Sequence, residues 1–374
     1  MNTHAEHPNQ HLDAVVIGAG QAGLAAAYHL KRQGAKFIIV DSNDRVGDNW
    51  RCHWDSLRLY SPAGYDGLPG LDFPADPHSY PTKDEVADYL EKYAGRFDLP
   101  VRHHSPVRRL ARNGQGYVVE LADGRYETEN VVIATGTFGR IPRLPPVGAD
   151  LDPQIVQLHS SEYRNPGQLR DGRVLVVGAS HSGADIAIEV ARSHETILCG
   201  RDTGRIPVRP ESRRFRIVFP VMWLVWGHVQ SVRTPMGRKA RGFVRTHGAP
   251  LLRVTNSDLE GVGVERVRER LTGVRDGLPV LGEDQAADVA NVIWCTGFQH
   301  DFSWIDLPVI GDDGWPMEER GRVPSAPGLY FTGISFQSSF RSMLIGGAGA
   351  DAAYVVNHLL SRPHEGQSFP AAAA

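Results

Sequence analysis

The sequence contains no C-x-x-C pair. Its three cysteines, Cys52, Cys199 and Cys295, are far apart. That spacing excludes a disulfide framework and a dithiol redox centre, leaving three reduced structural thiols. Long hydrophobic runs are missing too. The longest, Ile217 to Trp226, covers ten residues and contains Pro220, whereas a spanning helix needs about 20. Charge of one sign is not in excess, with 40 Lys and Arg against 43 Asp and Glu and a net charge of −3. No global attraction to nucleic acid or to an anionic membrane follows. Met1 to Asp13 is polar and lacks the apolar core of a signal peptide. These absences predict a cytoplasmic protein without a membrane span, a disordered tail over 1–12 and a flexible one over 363–374. No metal site is expected.

Glycine, by contrast, is abundant at 40 of 374 residues, about 11 % against an average near 7 %. A chain of this length exceeds the roughly 250–300 residues at which one core stops growing, so two domains are expected. Val15-Val16-Ile17-Gly18-Ala19-Gly20-Gln21-Ala22-Gly23 reads as a buried strand, a glycine turn and the start of a helix. Gly18 permits the tight turn, Gly20 lets backbone approach a pyrophosphate, and Gly23 lets the helix lie close on the strand. The diphosphate then rests on a helix N-terminus. The next strand ends in Asp41, 23 residues beyond Gly18. A carboxylate there accepts ribose hydroxyls and repels a 2′-phosphate, which suits FAD or NAD.

Gly47 opens a turn carrying Asn49 and Trp50 that can wrap a second face of the dinucleotide. His53 to Pro81, rich in Pro, Gly and aromatics, reads as a long ordered excursion lining a site. Thr82 and Glu85 stand at capping-box spacing before a helix through Tyr93. Short strands occupy 101–121, with a turn at Asn113-Gly114. Asn130 to Phe138 reads as a buried strand whose Ala134-Thr135-Gly136 lets backbone pass close to a ligand. Pro142, Pro145 and Pro146 then punctuate a boundary.

From Arg173 the plan repeats. A strand leads into Gly178-Ala179-Ser180-His181-Ser182-Gly183, a helix follows, and the next strand ends at Arg201, 23 residues after Gly178. The two units stand 160 residues apart and differ in the charge at the reading position. A guanidinium suits a 2′-phosphate, so the first unit reads as an FAD site and the second as an NADPH site. Ser180 replaces the middle glycine.

Arg201 to Arg253 holds twelve Lys and Arg against Asp202 and Glu211, around an apolar stretch. This insertion reads as a surface helical segment packing Trp223 and Trp226 inward, a phosphate-attracting rim, a substrate entrance or a shallow interfacial helix. Ala287 to Phe298 repeats the strand-then-Thr-Gly pattern at Thr296-Gly297. Gly328 to Ile334, with Gly333, forms a strand, and 342–360 a terminal helix whose N-terminus, directed at a flavin ring, favours its anionic reduced form.

With these motifs placed, the chain resembles the flavin-containing monooxygenases and their shorter bacterial relatives from Leu12 to Leu360. The resemblance rests on Gly18-x-Gly20-x-x-Gly23, Gly47-x-x-Trp50, Ala134-Thr135-Gly136, the second fingerprint, Cys295-Thr296-Gly297-Phe298 and His159-Ser160-x-x-Tyr163-Arg164. It implies an α/β fold of two Rossmann-like domains, with an FAD-binding unit over 13–160 and 295–362. An NADPH-binding unit over 161–294 is inserted into it and carries the helical insertion near 205–253. Cofactor contacts fall on Gly18, Gly20, Gly23, Asp41, Gly47, Asn49, Trp50, Val107, Ala134, Thr135, Gly136 and Gly333 for FAD. For NADPH they fall on Gly178, Ser180, His181, Ser182, Gly183 and Arg201, and Thr296 and Gly297 are expected to bind cofactor without being divided between the two. The implied chemistry is reduction of FAD by NADPH, then transfer of one oxygen atom from O2 to a nitrogen, sulfur or carbonyl carbon of a small organic substrate through a C4a-hydroperoxyflavin. The sequence departs from the family pattern at Ser180 and His181. It also departs at Pro153 and Ile155, where the linker motif has Phe and Gly, and it lacks the active-site asparagine within Leu57 to Pro62. An NADPH-dependent flavin oxidoreductase or oxidase that passes electrons to a small acceptor without oxygen insertion therefore stays open. No catalytic residue is assigned, nucleic acid is not an expected partner, and a homodimer is left open.

Overall fold

In the computed structural model, residues 12–114, 116–136 and 141–362 are described. The first unit runs β1 (Ala14–Ile17), α1 (Gln21–Arg32), β2 (Phe37–Val40), α2 (Asp48–Arg51), α3 (Lys83–Arg96), β3 (Val101–Arg102), β4 (Arg109–Asn113), β5 (Gly116–Glu120), β6 (Arg125–Thr128) and β7 (Val131–Ile133). A short β8 (Ile141–Pro142) leads out of it. The second unit runs β9 (Val156–His159), β10 (Val174–Val177), α4 (His181–Val190), β11 (Thr196–Cys199), α5 (Arg213–His228), α6 (Pro235–Thr246), α7 (Asn256–Gly261) and β12 (Glu265–Val267). It continues through β13 (Leu271–Arg275), β14 (Leu278–Leu281), β15 (Gln285–Ala286) and β16 (Asn291–Trp294). The chain returns through β17 (Phe298–Gln299) to β18 (Leu329–Phe331) and α8 (Ala348–Leu360).

Each unit centres on a five-stranded sheet, ordered β18-β7-β1-β2-β3 in the first and β9-β16-β10-β11-β12 in the second. Every pairing in both is parallel. The two orders match strand for strand, except that the outer edge is the last strand of the chain in the first sheet and the earliest of its unit in the second. Parallel strands are buried on both faces, which explains their unbroken Val and Ile runs. Alternation divides them: Ala14 and Val16 pack with α1, α3 and α8 on one face, Val15 and Ile17 with Leu110, Tyr117 and Val119 on the other. The second sheet repeats this, with Val174 and Val176 against α4 and Leu175 and Val177 toward Leu281. The faces away from the helices are covered by three-stranded antiparallel meanders, β4-β5-β6 and β13-β14-β15. The Asn113-Gly114 pair turns β4 into β5, with Gly114 at φ +60°.

Two expectations are corrected here. Residues 156–159 were assigned to the first unit, but β9 pairs with β16, so the boundary lies earlier, beyond β8. Leu12 was placed in the tail, yet it is buried, bridges Thr128 and accepts a hydrogen bond from the Thr128 hydroxyl. Residues 1–11 and 363–374 of the expected tails, and Thr137 and Phe138 of the expected strand, lie outside the described residues. The capping box at Thr82 and Glu85 is formed. The terminal helix starts at Ala348 because two short 3-10 turns, Phe340–Met343 and Ile345–Gly347, take up the residues before it.

The excursion over 53–81 is ordered and bridges the units. Trp54 and Leu57 join the core around α4, and Tyr65 and Tyr80 pack beside Phe215, Phe219 and Trp223 of α5. Its anchor is Asp66, fully buried, which accepts the Ser61 hydroxyl at 2.5 Å. Its other carboxyl oxygen has no partner among the described residues. Burial pushes the Asp66 carboxyl up to about 7.

Two predictions follow from this architecture. A Cβ on Gly23 would stand 1.9 Å from the Gly18 carbonyl oxygen, whereas one on Gly20 meets nothing nearer than Asn49 Nδ2 at 3.9 Å. Thermal unfolding should show Gly23→Ala destabilised by roughly 1–3 kcal/mol and Gly20→Ala unchanged. The second concerns pH. Because the folded state holds Asp66 protonated above its ordinary value of 3.8, its contribution is complete below that value. It is lost, at up to about 1.4 kcal/mol per unit, as pH rises toward 7. Melting temperature should fall over that window, and Asp66→Asn should make the fall shallower; an equally steep fall in the variant disproves the assignment.

Candidate functional site

Helix N-termini separate into two groups. α3, α5, α6 and α7 begin at Thr82, Ser212, Thr234 and Thr255, and each side chain accepts an N–H of the first turn. α1, α2, α4 and α8 begin at Gly20, Gly47, Ser180 and Gly347 with no side-chain cap. Four first-turn N–H groups of a helix lack intrahelical partners. Left uncapped, those of α1 and α4 are donors available to an anion.

At α1 the geometry is tight everywhere except at the cradle. Gly18 has φ +108°, and a Cβ there would lie 2.6 Å from the Ala134 carbonyl oxygen, so the ends of β1 and β7 meet backbone to backbone. Ala134, Thr135 and Gly136 follow directly, Gly136 at φ +90°. Asp41, at the end of β2 and 7 % exposed, accepts the Ala19 N–H at 2.6 Å and the Asn43 N–H at 2.7 Å. Its carboxylate thus braces the turn while each oxygen keeps acceptor capacity. Gly47, at φ +89°, faces the Ala87 carbonyl so closely that no Cβ fits. That approach brings Asn49 beside Gly20 and Trp50 Nε1 to Gln21 Oε1 at 3.4 Å. Gly333 rests on Ala22, where a Cβ would meet the Ala22 Cβ at 2.5 Å. Val107 is half-buried in the core behind Ile17 and Val40. The first set of expected residues is therefore assembled around open space at Gly20 and Gly136 that side chains would fill. This fits a bound dinucleotide diphosphate.

The second turn copies the first. A Cβ on Gly178 would lie 2.3 Å from the Cys295 carbonyl oxygen, and one on Gly183 1.7 Å from that of Gly178. Cys295-Thr296-Gly297 thus stands where Ala134-Thr135-Gly136 stands in the first unit. Ser180 could have capped α4, but its hydroxyl donates to the Ala249 carbonyl at 2.9 Å, and His181 Nε2 bonds the Pro250 carbonyl at 2.7 Å. Both side chains that the sequence assigned to the cofactor therefore hold the return segment of the helical insertion, leaving the α4 backbone donors free of side-chain caps. Ser182 lies in the first turn of α4. Equal spacing along the chain also misleads by one residue. Ile17 pairs with Val40 and Val177 with Cys199, so Gly200 is the counterpart of Asp41 and Arg201 stands one place further on. The carboxylate is replaced by a glycine at φ +130°, with an exposed arginine beside it. Close by, Thr203 Oγ1 is buried without a partner among the described residues. A missing acid, a free guanidinium and an orphan hydroxyl suit a phosphate-bearing ribose.

The two units are clamped together by Tyr60, Asp185 and Arg253, which the sequence does not single out, and by His181, His159, Thr296 and Gly297, which it reads as cofactor or linker residues. Tyr60 donates to Asp185 Oδ2 at 2.7 Å and stacks on His181 at 4.2 Å, with the Arg253 guanidinium 5.2 Å over its ring. Burial raises the Tyr60 hydroxyl and the Asp185 carboxyl and lowers His181. His159, 1 % exposed, bonds the Gly297 carbonyl at 3.0 Å and Ser161 at 2.8 Å, and the Thr296 hydroxyl donates to the Arg143 carbonyl. Both crossings between units are thereby pinned beside the β8–β17 pair. The start of α8 is walled by the excursion and α5. A Cβ on Gly346 would lie 1.9 Å from the Tyr65 carbonyl oxygen and 3.5 Å from Trp223, and Arg341 Nε donates to the Trp223 carbonyl at 2.6 Å. A cavity of about 270 Å³ opens between the excursion and α5, lined by Tyr65, Tyr80, Phe215, Arg216 and Phe219. The aromatic content of 53–81 and the expected inward packing of Trp223 and Trp226 signalled these walls in advance.

Comparison with known proteins agrees with this geometry. The pyridine nucleotide-disulphide oxidoreductase family matches residues 15–211. A CzcO-like oxidoreductase of Geobacillus kaustophilus is 39 % identical over 355 residues, covering 94 % of this chain and 99 % of its own. A probable indole-3-pyruvate monooxygenase of Arabidopsis thaliana, YUCCA9, is 31 % identical over 57 % of this chain and 52 % of its own. Among solved structures, a flavin-containing monooxygenase from Stenotrophomonas maltophilia superposes with a TM-score of 0.68 at 25 % identity, covering 94 % of this chain and 99 % of that one. The chain belongs to the pyridine nucleotide-disulphide oxidoreductase family, on its flavin-monooxygenase-like side, and is a flavoprotein oxidoreductase.

Proposed function

We propose that the chain is an FAD-containing, NADPH-reduced monooxygenase that places one oxygen atom from O2 into a small organic substrate, and that it works in the cytoplasm. The observation that carries the reading is the pair of uncapped helix turns, one beside a buried carboxylate and the other beside a glycine followed by a free arginine. FAD, when bound, supplies the hydride acceptor and the site of reaction with O2.

The chain's own residues bind and orient. The free N–H groups of α1 hold one diphosphate, with Gly20 giving it room, and Asp41 turns its remaining lone pairs to the ribose hydroxyls. Asn49 and Trp50 close over the same dinucleotide. The free N–H groups of α4 hold the second diphosphate, and Arg201 with Thr203 takes the 2′-phosphate. α8, which begins without a side-chain cap, would offer its positive end to negative charge on a flavin bound beside it, worth roughly 1 kcal/mol. Trp223, Tyr65 and Phe219 exclude water from that end, and the adjoining cavity admits a compact, largely apolar substrate beside the Arg216 guanidinium. The family name also covers disulfide chemistry, but Cys52 is exposed, Cys199 buried and Cys295 half-buried, and all three are free thiols.

Three measurements test the reading. Arg201→Ala should raise KM for NADPH about tenfold, the loss of one charged phosphate contact, and leave KM for NADH within about twofold; equal effects on both remove its assigned role. Gly20→Val should give stably folded but colourless protein. Labelled dioxygen supplied with NADPH and a panel of amines, sulfides and ketones should leave label in product. If all NADPH ends as hydrogen peroxide, and quinones are reduced rapidly without oxygen, the chain is instead an electron-passing flavin oxidoreductase.

A further inference from the structure

Helix α5 is apolar on two opposite faces. Phe215, Phe219, Met222, Trp223 and Trp226 recur at helical spacing on the inner one, where they pack against Tyr65 and Tyr80. Phe219 also meets Trp226 edge to face, and Trp226 meets Phe340. The outer face repeats the same spacing with Ile217, Val221, Leu224 and Val225, followed by Val229 just beyond the helix. Nothing among the described residues covers it. Ile217 is 76 % exposed, Val221 59 % and Leu224 57 %. On α6, Met236 and Phe243 are exposed as well. A surface helix of a water-soluble protein normally turns polar residues outward, and one that is apolar all round is built for a non-aqueous neighbour.

The charges at this surface select the neighbour. The two helices carry Arg213, Arg214, Arg216, Arg238, Lys239, Arg241 and Arg245 and not one acid. Arg241 and Arg245 pair with buried Glu318. Arg213, Arg214, Arg216 and Lys239 are exposed and make no ion pair among the described residues. In a chain whose net charge is −3, this is a local concentration of cation around an apolar stripe. A second copy of the same surface would bring two arginine-bearing faces together with no acid on either helix to compensate. An anionic lipid headgroup layer over hydrocarbon matches both features, and long arginine side chains reach headgroups while their stems cover apolar surface. No helix among the described residues is long and apolar enough to cross a membrane, which limits the contact to the interface.

We propose that the outer face of α5 docks on an anionic lipid surface and seats Ile217, Val221, Leu224 and Val225 at the headgroup–acyl boundary. The cavity beneath α5 then opens next to that surface, since Phe215, Arg216 and Pro220 of the same helix line it. The docking stands independently of the cofactor chemistry and can be tested without turnover.

The test is co-sedimentation of the full-length, flavin-loaded protein with phosphatidylglycerol vesicles and with phosphatidylcholine vesicles, at low and at high salt. The expected result is partition onto phosphatidylglycerol at least about tenfold stronger than onto phosphatidylcholine, weakening as salt screens the arginines. The doubly exposed variant Ile217→Asp with Leu224→Asp should lose partition at every salt concentration. Arg213→Glu with Arg214→Glu should lose the preference for phosphatidylglycerol. Flavin content and near-ultraviolet circular dichroism of both should equal those of the parent, because all four side chains point into solvent. Absence of partition at low salt overturns the proposal, as does partition undiminished in Ile217→Asp with Leu224→Asp. Light scattering that finds a dimer in the parent and a monomer in that variant overturns it too, and assigns the face to a second copy.

Discussion

Everything at the site depends on one backbone contact, the seating of the first helical turn of α1 on the carbonyl of Gly18. At Gly23 there is no room for a Cβ, and the same holds where Gly183 meets Gly178. The contact sets the helix axis over the carboxyl end of the central strand and aims the free N–H groups past it. It works only because strand order diverges there, with β2 on one side of β1 and β7 on the other. Such a switch point leaves a crevice beyond the strand ends into which no other element is drawn. Glycine at the contact, an uncapped helix above it and a crevice beside it are therefore consequences of a single packing geometry used twice.

The sequence was readable wherever a function needs local chain. Both glycine turns, the two Thr-Gly strand ends and the capping box at Thr82 follow from residues within a few positions of one another, and all of them formed. What failed needed information from distant chain. Counting 23 residues from each glycine makes Asp41 and Arg201 look equivalent, but pairing register decides position, and the connection between the paired strands is one residue shorter in the second unit, where Val177 pairs with Cys199 as Ile17 pairs with Val40. Gly200 carries the message that was attributed to Arg201 alone: the acid is gone. Ser180 and His181 were read as cofactor contacts because of their place in the motif. Their partners, Ala249 and Pro250, lie 69 residues away, and no spacing rule reaches that far. Residues 156–159 were misplaced for the same reason, since strand β9 belongs to whichever sheet has an open edge beside β16.

Polar groups left in the interior show where the structure accepts cost. Asp66 and Asp351 are both buried with one oxygen lacking a partner among the described residues, and burial pushes them up to about 7 and about 6. Asp66 holds the excursion through Ser61, and Asp351 stands in the first turn of α8 beside Ser338 and Ser342. Raising the carboxyl toward its neutral form lowers the cost of an unpaired buried charge, and the neutral form still serves as an acceptor. Both residues brace segments that wall the same end of the molecule.

That end is built differently from the two dinucleotide turns. Its walls come from the excursion over 53–81, from α5 and from the turns before α8, three segments brought together only by the fold. Tyr65 touches Phe219 and Trp223, and Arg341 links Trp223 to the entry of α8. None of these contacts involves the glycine turns, the acid of β2 or the arginine beyond β11. Side chains on α5 can therefore change size or polarity without altering how either dinucleotide is held, because no hydrogen bond connects the two sets among the described residues. The link that does exist runs through Tyr60, whose hydroxyl meets Asp185 of the second unit while its neighbour Ser61 holds Asp66 beneath the walls. A substrate wedged against the excursion would press on this link first. The Tyr60 clamp thus ties the excursion to α4, alongside the packing of Trp54 and Leu57 and the bonds from Ser180 and His181 to the return segment of the insertion.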